Sequence, residues 1–180
     1  MKKILFIAAL FIATASNAQV LKATLQAAGL TCSMCSNAIN KSLKSLDFVE
    51  QVKPIIKSSS FEITFKPGAA VDFDKLKEKV EDAGFFIANL SATIRFDNIA
   101  VKNDEHLALY GSTFHFMNVK DQTVNGDKVI TILDKGFVTS KMYKQNAKFT
   151  TMECYKTGKA AACCTKGGLP GGTRIYHVTI

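Results

Sequence analysis

The sequence predicts an α+β fold in two parts, and three observations carry that expectation. Apolar residues alternate with polar ones in short runs along most of the chain. Two stretches switch to helical spacing, and both lie before residue 84. Beyond residue 90 helical spacing gives way to strand-like runs separated by Gly-rich turns. With 47% hydrophobic and 21% charged residues, the 180-residue chain is not a disordered or collagen-like polymer. Its length allows one or two small domains.

Residues 1–18 read as an export signal. Lys2-Lys3 is a positive start, Ile4 to Ala13 is almost unbroken apolar sequence, and Ser16-Asn17-Ala18 supplies a small-x-small cleavage pattern. The apolar run is shorter than the roughly 20 residues that span a bilayer. The first cysteine is Cys32, so no lipid-anchoring thiol lies near the cut. The expected product is a periplasmic or secreted chain, cleaved near Ala18 and not inserted in a membrane. Nucleic acid is then not an expected partner, despite a formal charge of +8.

Residues 19–90 form the first expected domain. Leu21, Ala23, Leu25 and Ala27 alternate with Lys22, Thr24 and Gln26 as in a half-buried strand that ends at Gly29. Ser33 to Leu46 reads as a helix with Ile39, Leu43 and Leu46 on one face. Val49 to Ile56 is an apolar strand that Pro54 makes either an edge strand or a broken one. Lys57 to Ser60 makes a turn, and Phe61, Ile63 and Phe65 mark a further strand that closes at Pro67-Gly68. Asp72 is placed to cap a second helix, with Asp74 in its first turn. Phe73, Leu76, Val80 and Ala83 supply that helix's buried stripe, and Gly84 its end. Phe85 to Leu90 is the last strand. The order β-α-β-β-α-β is the ferredoxin-like arrangement.

Residues 91–180 form the second, β-rich part. Strands are expected at Ala92–Phe96, Leu107–Met117, Lys128–Leu133, Phe137–Lys144 and Arg174–Ile180. Turn signals lie at Asn125-Gly126, Asp134-Lys135-Gly136 and Gly167 to Gly172. Such spacing suggests an OB-like barrel or a sandwich, with Leu107–Met117 as one long bent strand. This part carries a net charge of +5 against +1 for residues 19–90. A basic patch could meet an acidic partner, although a solvated face is the ordinary reading.

The chemistry concentrates where the first strand gives way to the first helix, at Gly29-Leu30-Thr31-Cys32-Ser33-Met34-Cys35. Two thiols three residues apart, one in the loop and one on the first helical turn, can face a common centre. Unpaired N–H groups of the helix start favour the thiolate, the form that binds metal. Two soft sulfurs suit a low-coordinate soft ion such as Cu(I), and a closed zinc site would need four ligands. Met34 could add a thioether but reads as solvent-facing. A disulfide between Cys32 and Cys35, or thiol-disulfide exchange by the same pair, are the competing readings. The chain has no Trp to precede a redox motif, and no Pro placed to face the pair.

Residues 20–90 resemble the heavy-metal-associated domain of copper chaperones, copper-ATPase metal-binding modules and the periplasmic mercury-binding protein. The family's G-M-x-C-x-x-C appears as Gly29 to Cys35, with Leu30 in place of Met, and its E-x-A-G-[FY] as Glu81 to Phe85. The resemblance implies that Cys32 and Cys35 are the metal ligands and that Phe85 packs near their loop. It implies Cu(I) as the ion, with Hg, Zn, Cd or Ag as other soft or borderline candidates. It also implies a protein partner that receives the metal, such as a transporter or cuproprotein, and no catalysis.

Cys154, Cys163 and Cys164 are a second feature. A Cys154–Cys163 disulfide would close a ten-residue loop and contribute roughly 2.5 to 3 kcal/mol, but it leaves an odd thiol. The alternative is a second thiolate cluster that holds metal or exchanges it with Cys32 and Cys35. His106, His115 and His177 are scattered in sequence and read as surface or strand residues, not ligands. Met117, Met142 and Met152 are too widely spaced for a methionine copper motif.

Overall fold

A computed structural model describes residues 20–180, apart from Thr31 and Lys166. The expected export signal at residues 1–18 lies outside the described residues. The elements of the first part follow the expected order: β1 (Val20–Ala28), α1 (Ser33–Lys44), β2 (Val49–Ile55), β3 (Ser60–Phe65), α2 (Phe73–Asp82) and the start of β4 (Phe86–Val101). The second part adds β5 (Glu105–Leu109), β6 (Ser112–Phe116), β7 (Gln122–Ile132) and β8 (Ile175–Thr179). Between β7 and β8 lie three short helices, α3 (Ser140–Asn146), α4 (Cys154–Thr157) and α5 (Ala162–Thr165). No helix among the described residues is long and apolar enough to cross a membrane.

Local rules place the first elements well. Pro54 sits in β2, which is an edge strand, the position in a sheet that tolerates proline. Asp72 caps α2 by accepting from the Lys75 N–H at 3.2 Å. Ile39 and Leu43 of α1 and Phe73, Leu76 and Val80 of α2 are fully buried against the sheet. Gly84 ends α2 at φ +84°, a left-handed conformation that a Cβ would strain.

The second part departs from expectation. Its strands build no separate barrel or sandwich; they extend the first sheet into one of eight strands, ordered β2-β3-β1-β4-β7-β8-β6-β5. The hinge of this continuity is β4. The expected strands Phe85–Leu90 and Ala92–Phe96 are one strand of 16 residues, paired with β1 on one side and β7 on the other. Leu90, Ala92, Ile94 and Phe96 alternate onto the buried face, so nothing in the pattern breaks at residue 90.

Two turn assignments and one strand assignment change for identifiable reasons. The expected long strand Leu107–Met117 is the hairpin β5–β6, reversed at Tyr110-Gly111 with φ of +54° and +80°. Two positive φ values match a type I′ turn, a geometry more often signalled by Asn-Gly. Conversely, Asn125-Gly126 lies inside β7, where Gly126 takes φ +75° opposite Phe96 beside a register shift. The expected strand Phe137–Lys144 is mostly α3, capped by Thr139, whose hydroxyl accepts from the Met142 N–H at 3.3 Å.

The two faces of the sheet are covered differently. Under α1 and α2 a continuous core runs from Leu25, Ile63 and Leu90 to Phe114, Ile132 and Val178. On the opposite face, α4 and α5 cover only the β6–β8 end, where Cys154 and Cys164 pack with Ile175, and Tyr155 with Met117 and Leu133. Phe73 of α2 joins the halves by edge contacts with Tyr176 at 5.2 Å and Phe114 at 6.4 Å. Beside it Arg174 grips Asp74 of α2 through two N–H···O bonds of 2.6 and 3.0 Å. The Tyr176 hydroxyl donates to the same carboxylate at 3.2 Å.

Phe73→Ala is expected to cost about 3–5 kcal/mol and to leave a single cooperative unfolding transition for both halves, measured by urea denaturation followed by circular dichroism. Two separate transitions would show that the halves fold independently. At Asp74, burial raises the carboxyl pKa, but Arg174, Lys77 and Tyr176 outweigh it and hold it below the ordinary value. A depressed carboxyl contributes stability that is complete above the unfolded pKa, near 3.9, and lost as pH falls through the folded value. The urea midpoint of the parent should therefore drop below about pH 4, and Asp74→Asn, less stable at neutral pH, should drop less steeply.

Candidate metal centre

Gly29 ends β1 at φ +77° and turns the chain toward α1. Leu30 packs partly buried against the core, the packing role its position calls for. Cys32 is the N-cap of α1, in extended conformation, and its sulfur accepts from the Cys35 N–H at 3.2 Å. Cys35 follows on the first turn, with its Cα 5.4 Å from that of Cys32, and the two sulfurs are joined as a disulfide. The pair thus converges as the spacing requires, in its oxidised form. Cys32 is exposed and Cys35 half-buried. Met34 between them is 83% exposed and faces away from the core. Phe85 is half-buried against the core at the end of α2.

Apolar side chains surround this end of the sheet. Ile55 and Ile56 line a shallow pocket with Leu30 and Cys32. Phe86 sits opposite Ala28, the last residue of β1 before the loop. Ile56 is 74% and Phe86 70% exposed. Together with Met34 they make an uncovered apolar rim next to the cysteine pair, of the kind that marks an interaction site.

The late cysteines and the histidines assemble at the other end of the sheet. Cys154, Cys163 and Cys164 are free thiols, so the expected Cys154–Cys163 disulfide is not formed. The sulfurs of all three lie within 4.8 Å of one another, with Cys154 and Cys164 buried and Cys163 exposed. The histidines, scattered in sequence, are neighbours in space. His106 of β5 is the register partner of His115 on β6, and His115 that of His177 on β8. One row of imidazoles therefore crosses three adjacent strands on one face, beneath α4. Ring centroids are 4.5 Å apart for His106–His115 and 5.0 Å for His115–His177.

All three rings direct a nitrogen at the Cys154 sulfur: His177 Nε2 at 3.4 Å, His106 Nε2 at 3.7 Å and His115 Nδ1 at 4.0 Å. The far nitrogens of two rings meet carboxylates, His177 Nδ1 to Asp134 Oδ1 at 2.6 Å and His115 Nε2 to Asp104 Oδ1 at 2.9 Å. Burial, with the neighbouring His177 and His106, lowers the pKa of His115 to about 4, so its ring is neutral near pH 7. Burial also lowers His106 and raises the Cys154 thiol. The sequence signal for this cluster was the placement of His115 within a strand; its partners were hidden because strand register is not readable from spacing alone.

Comparison with known proteins bears on the first of these centres. The heavy-metal-associated domain family matches residues 24–86. A protein of Archaeoglobus fulgidus described as "Probable copper-exporting P-type ATPase" is 29% identical over 84 residues, which cover 47% of this chain and 10% of the ATPase. The chain thus spans only about a tenth of that relative. The yeast copper transporter domain Ccc2a, solved in apo and Cu(I)-loaded states, is 32% identical over 36% of this chain and 88% of that one, with a TM-score of 0.33. Apo-CopP from Helicobacter pylori is 28% identical over 38% of this chain and 100% of that one, with a TM-score of 0.34. By its matching segment, which contains both Cys32 and Cys35, the chain belongs to the heavy-metal-associated domain family over residues 24–86.

Proposed function

We propose that this chain is an exported copper-binding protein that captures Cu(I) at Cys32 and Cys35 and passes it to a protein partner without catalysing a reaction. The observation that carries the reading is the meeting of two sulfurs at the exposed N-terminus of α1, one of them already accepting a first-turn N–H. Relatives whose descriptions name copper export or Cu(I) loading support the choice of ion. Export rests on the Lys2-Lys3, apolar and Ser16-Asn17-Ala18 pattern.

Capture starts from the dithiol. A dithiol donor is oxidised to its own disulfide and delivers two electrons and two protons, which convert the Cys32–Cys35 bond to two thiols. Both thiol protons leave as Cu(I) binds. Two thiolates leave the ion coordinatively open, so a partner thiolate can form a third bond before either original bond breaks. Exposure of Cys32 beside the half-buried Cys35 permits that approach, and Met34, Ile56 and Phe86 supply an apolar rim for the partner to cover.

The disulfide itself favours a second reading, thiol-disulfide exchange by the same pair. Anaerobic Cu(I) titration of the reduced chain against a competing chelator separates the two. The Cys32→Ser/Cys35→Ser variant is expected to bind one Cu(I) fewer than the parent. Equal uptake by both proteins would overturn copper capture at this pair. A mixed disulfide formed when the Cys32 thiolate of Cys35→Ser attacks a disulfide substrate and releases its other sulfur as a thiolate, left unresolved for want of Cys35, would favour exchange.

A further inference from the structure

The face of the sheet beneath α4 carries five buried or half-buried N and S donors that the first metal centre does not use. Their arrangement is difficult to satisfy with protein atoms alone. Asp134 is buried and accepts from the His177 backbone N–H at 3.1 Å as well as from the ring. A carboxylate can only accept, so Nδ1 of His177 carries a proton toward Asp134, and in the neutral ring Nε2 presents a lone pair to Cys154. By the same logic Asp104 places the His115 proton on Nε2 and turns the Nδ1 lone pair toward the same sulfur. Cys154 has one S–H and can answer only one of them. With both rings neutral, at least one buried ring nitrogen is left facing the sulfur without a donor.

A cation removes the conflict, because every lone pair then has the same acceptor. Zinc binds sulfur at about 2.3 Å and imidazole nitrogen at about 2.0–2.1 Å, which at a tetrahedral angle separates S from N by about 3.6 Å. The three S···N distances, 3.4, 3.7 and 4.0 Å, bracket that edge. The carboxylate behind each of two rings is the usual device that fixes the tautomer and orientation of a ligating histidine. Cys164 and the exposed Cys163 lie within 4.8 Å of the Cys154 sulfur and connect it to solvent. Imidazole with thiolate suits zinc and copper and does not suit calcium or magnesium.

We infer that Cys154, His106 and His115, whose ligand atoms lie within 4.8 Å of one another, form the core of a second site for a d10 thiophilic cation, Zn(II) or Cu(I), which His177, 3.4 Å from the same sulfur, completes, with Cys163 and Cys164 as its thiol entry. The site is independent of Cys32 and Cys35 and is built to retain its ion.

The test uses the full chain with Cys32→Ser/Cys35→Ser, so that loss of the first centre cannot obscure the second. The reduced variant is titrated separately with Zn(II) and with Cu(I), and Co(II) serves as a spectroscopic probe of the zinc arm. One equivalent of Zn(II) or Cu(I) should bind, Co(II) should give sulfur-to-metal charge-transfer absorption, and the bound ion should raise the thermal midpoint. Adding His106→Gln, at a half-buried position that tolerates change, should weaken uptake at least tenfold, and Asp134→Asn by about 10- to 100-fold. Circular dichroism checks that each variant is folded. Failure of the reduced, folded chain to take up any of these ions would overturn the site. So would uptake that the folded His106→Gln variant leaves unchanged.

Discussion

The structure depends on β4 remaining paired along both edges. Residues Phe86–Val101 give one edge to β1 and the other to β7, so the strand that completes the ferredoxin-like unit is also the first strand of everything after it. A strand in the middle of a sheet has no free edge at which a domain could end. The apolar row Leu90, Ala92, Ile94 and Phe96 then carries one core under α1 and α2 across the whole sheet. Phe73 and the Asp74–Arg174 pair reinforce this continuity from the helix side.

Much of the first half was legible because its information is local. The caps at Asp72 and Gly84, the helix stripes and the edge position of Pro54 each depend on residues within one or two turns. Cys32 and Cys35 were legible for the same reason: three residues of spacing at a helix start bring their sulfurs together whatever the rest of the chain does. The second half was less legible because its decisive features are non-local. Tyr110-Gly111 reverses the chain without the residues that normally announce a hairpin, and Asn125-Gly126 does not reverse it although its residues announce one. In both cases the pairing of neighbouring strands overrode the local signal.

The histidine row shows the same limit more sharply. His106 and His115 are register partners across a hairpin, while His177 reaches His115 through a parallel pairing of β8 with β6. Sequence distance says nothing about the second relation. His115 alternates with Phe114 and Phe116, as expected, but both faces of β6 are covered, so alternation did not mean exposure. The covering layer is the α3–α5 segment, which was read in part as a strand. Once α4 lies over β6 and β8, Cys154 has nowhere to point except at the imidazoles.

The two sulfur sites therefore differ in the property that governs exchange. At Cys32 and Cys35 the sulfurs sit at a helix start, with few other donors and an open side, so an ion bound there as proposed would be accessible to an incoming thiolate. At Cys154 the donors lie under a helix and are oriented by carboxylates, so release requires displacement of a covering element and desolvated ligands. Asp134 makes the second site part of the fold itself: it holds His177 and also lies 3.5 Å from the Arg174 guanidinium that grips Asp74 on α2. A chain of charge runs from the helix layer of the heavy-metal-associated domain to the buried imidazoles. Occupation of the buried site would tighten His177 and Asp134, and through Arg174 the same contact that joins the two halves of the sheet. On the proposed assignment, an ion held there would stabilise the platform on which the exposed cysteines are presented, and an ion at the exposed pair would come and go without disturbing it.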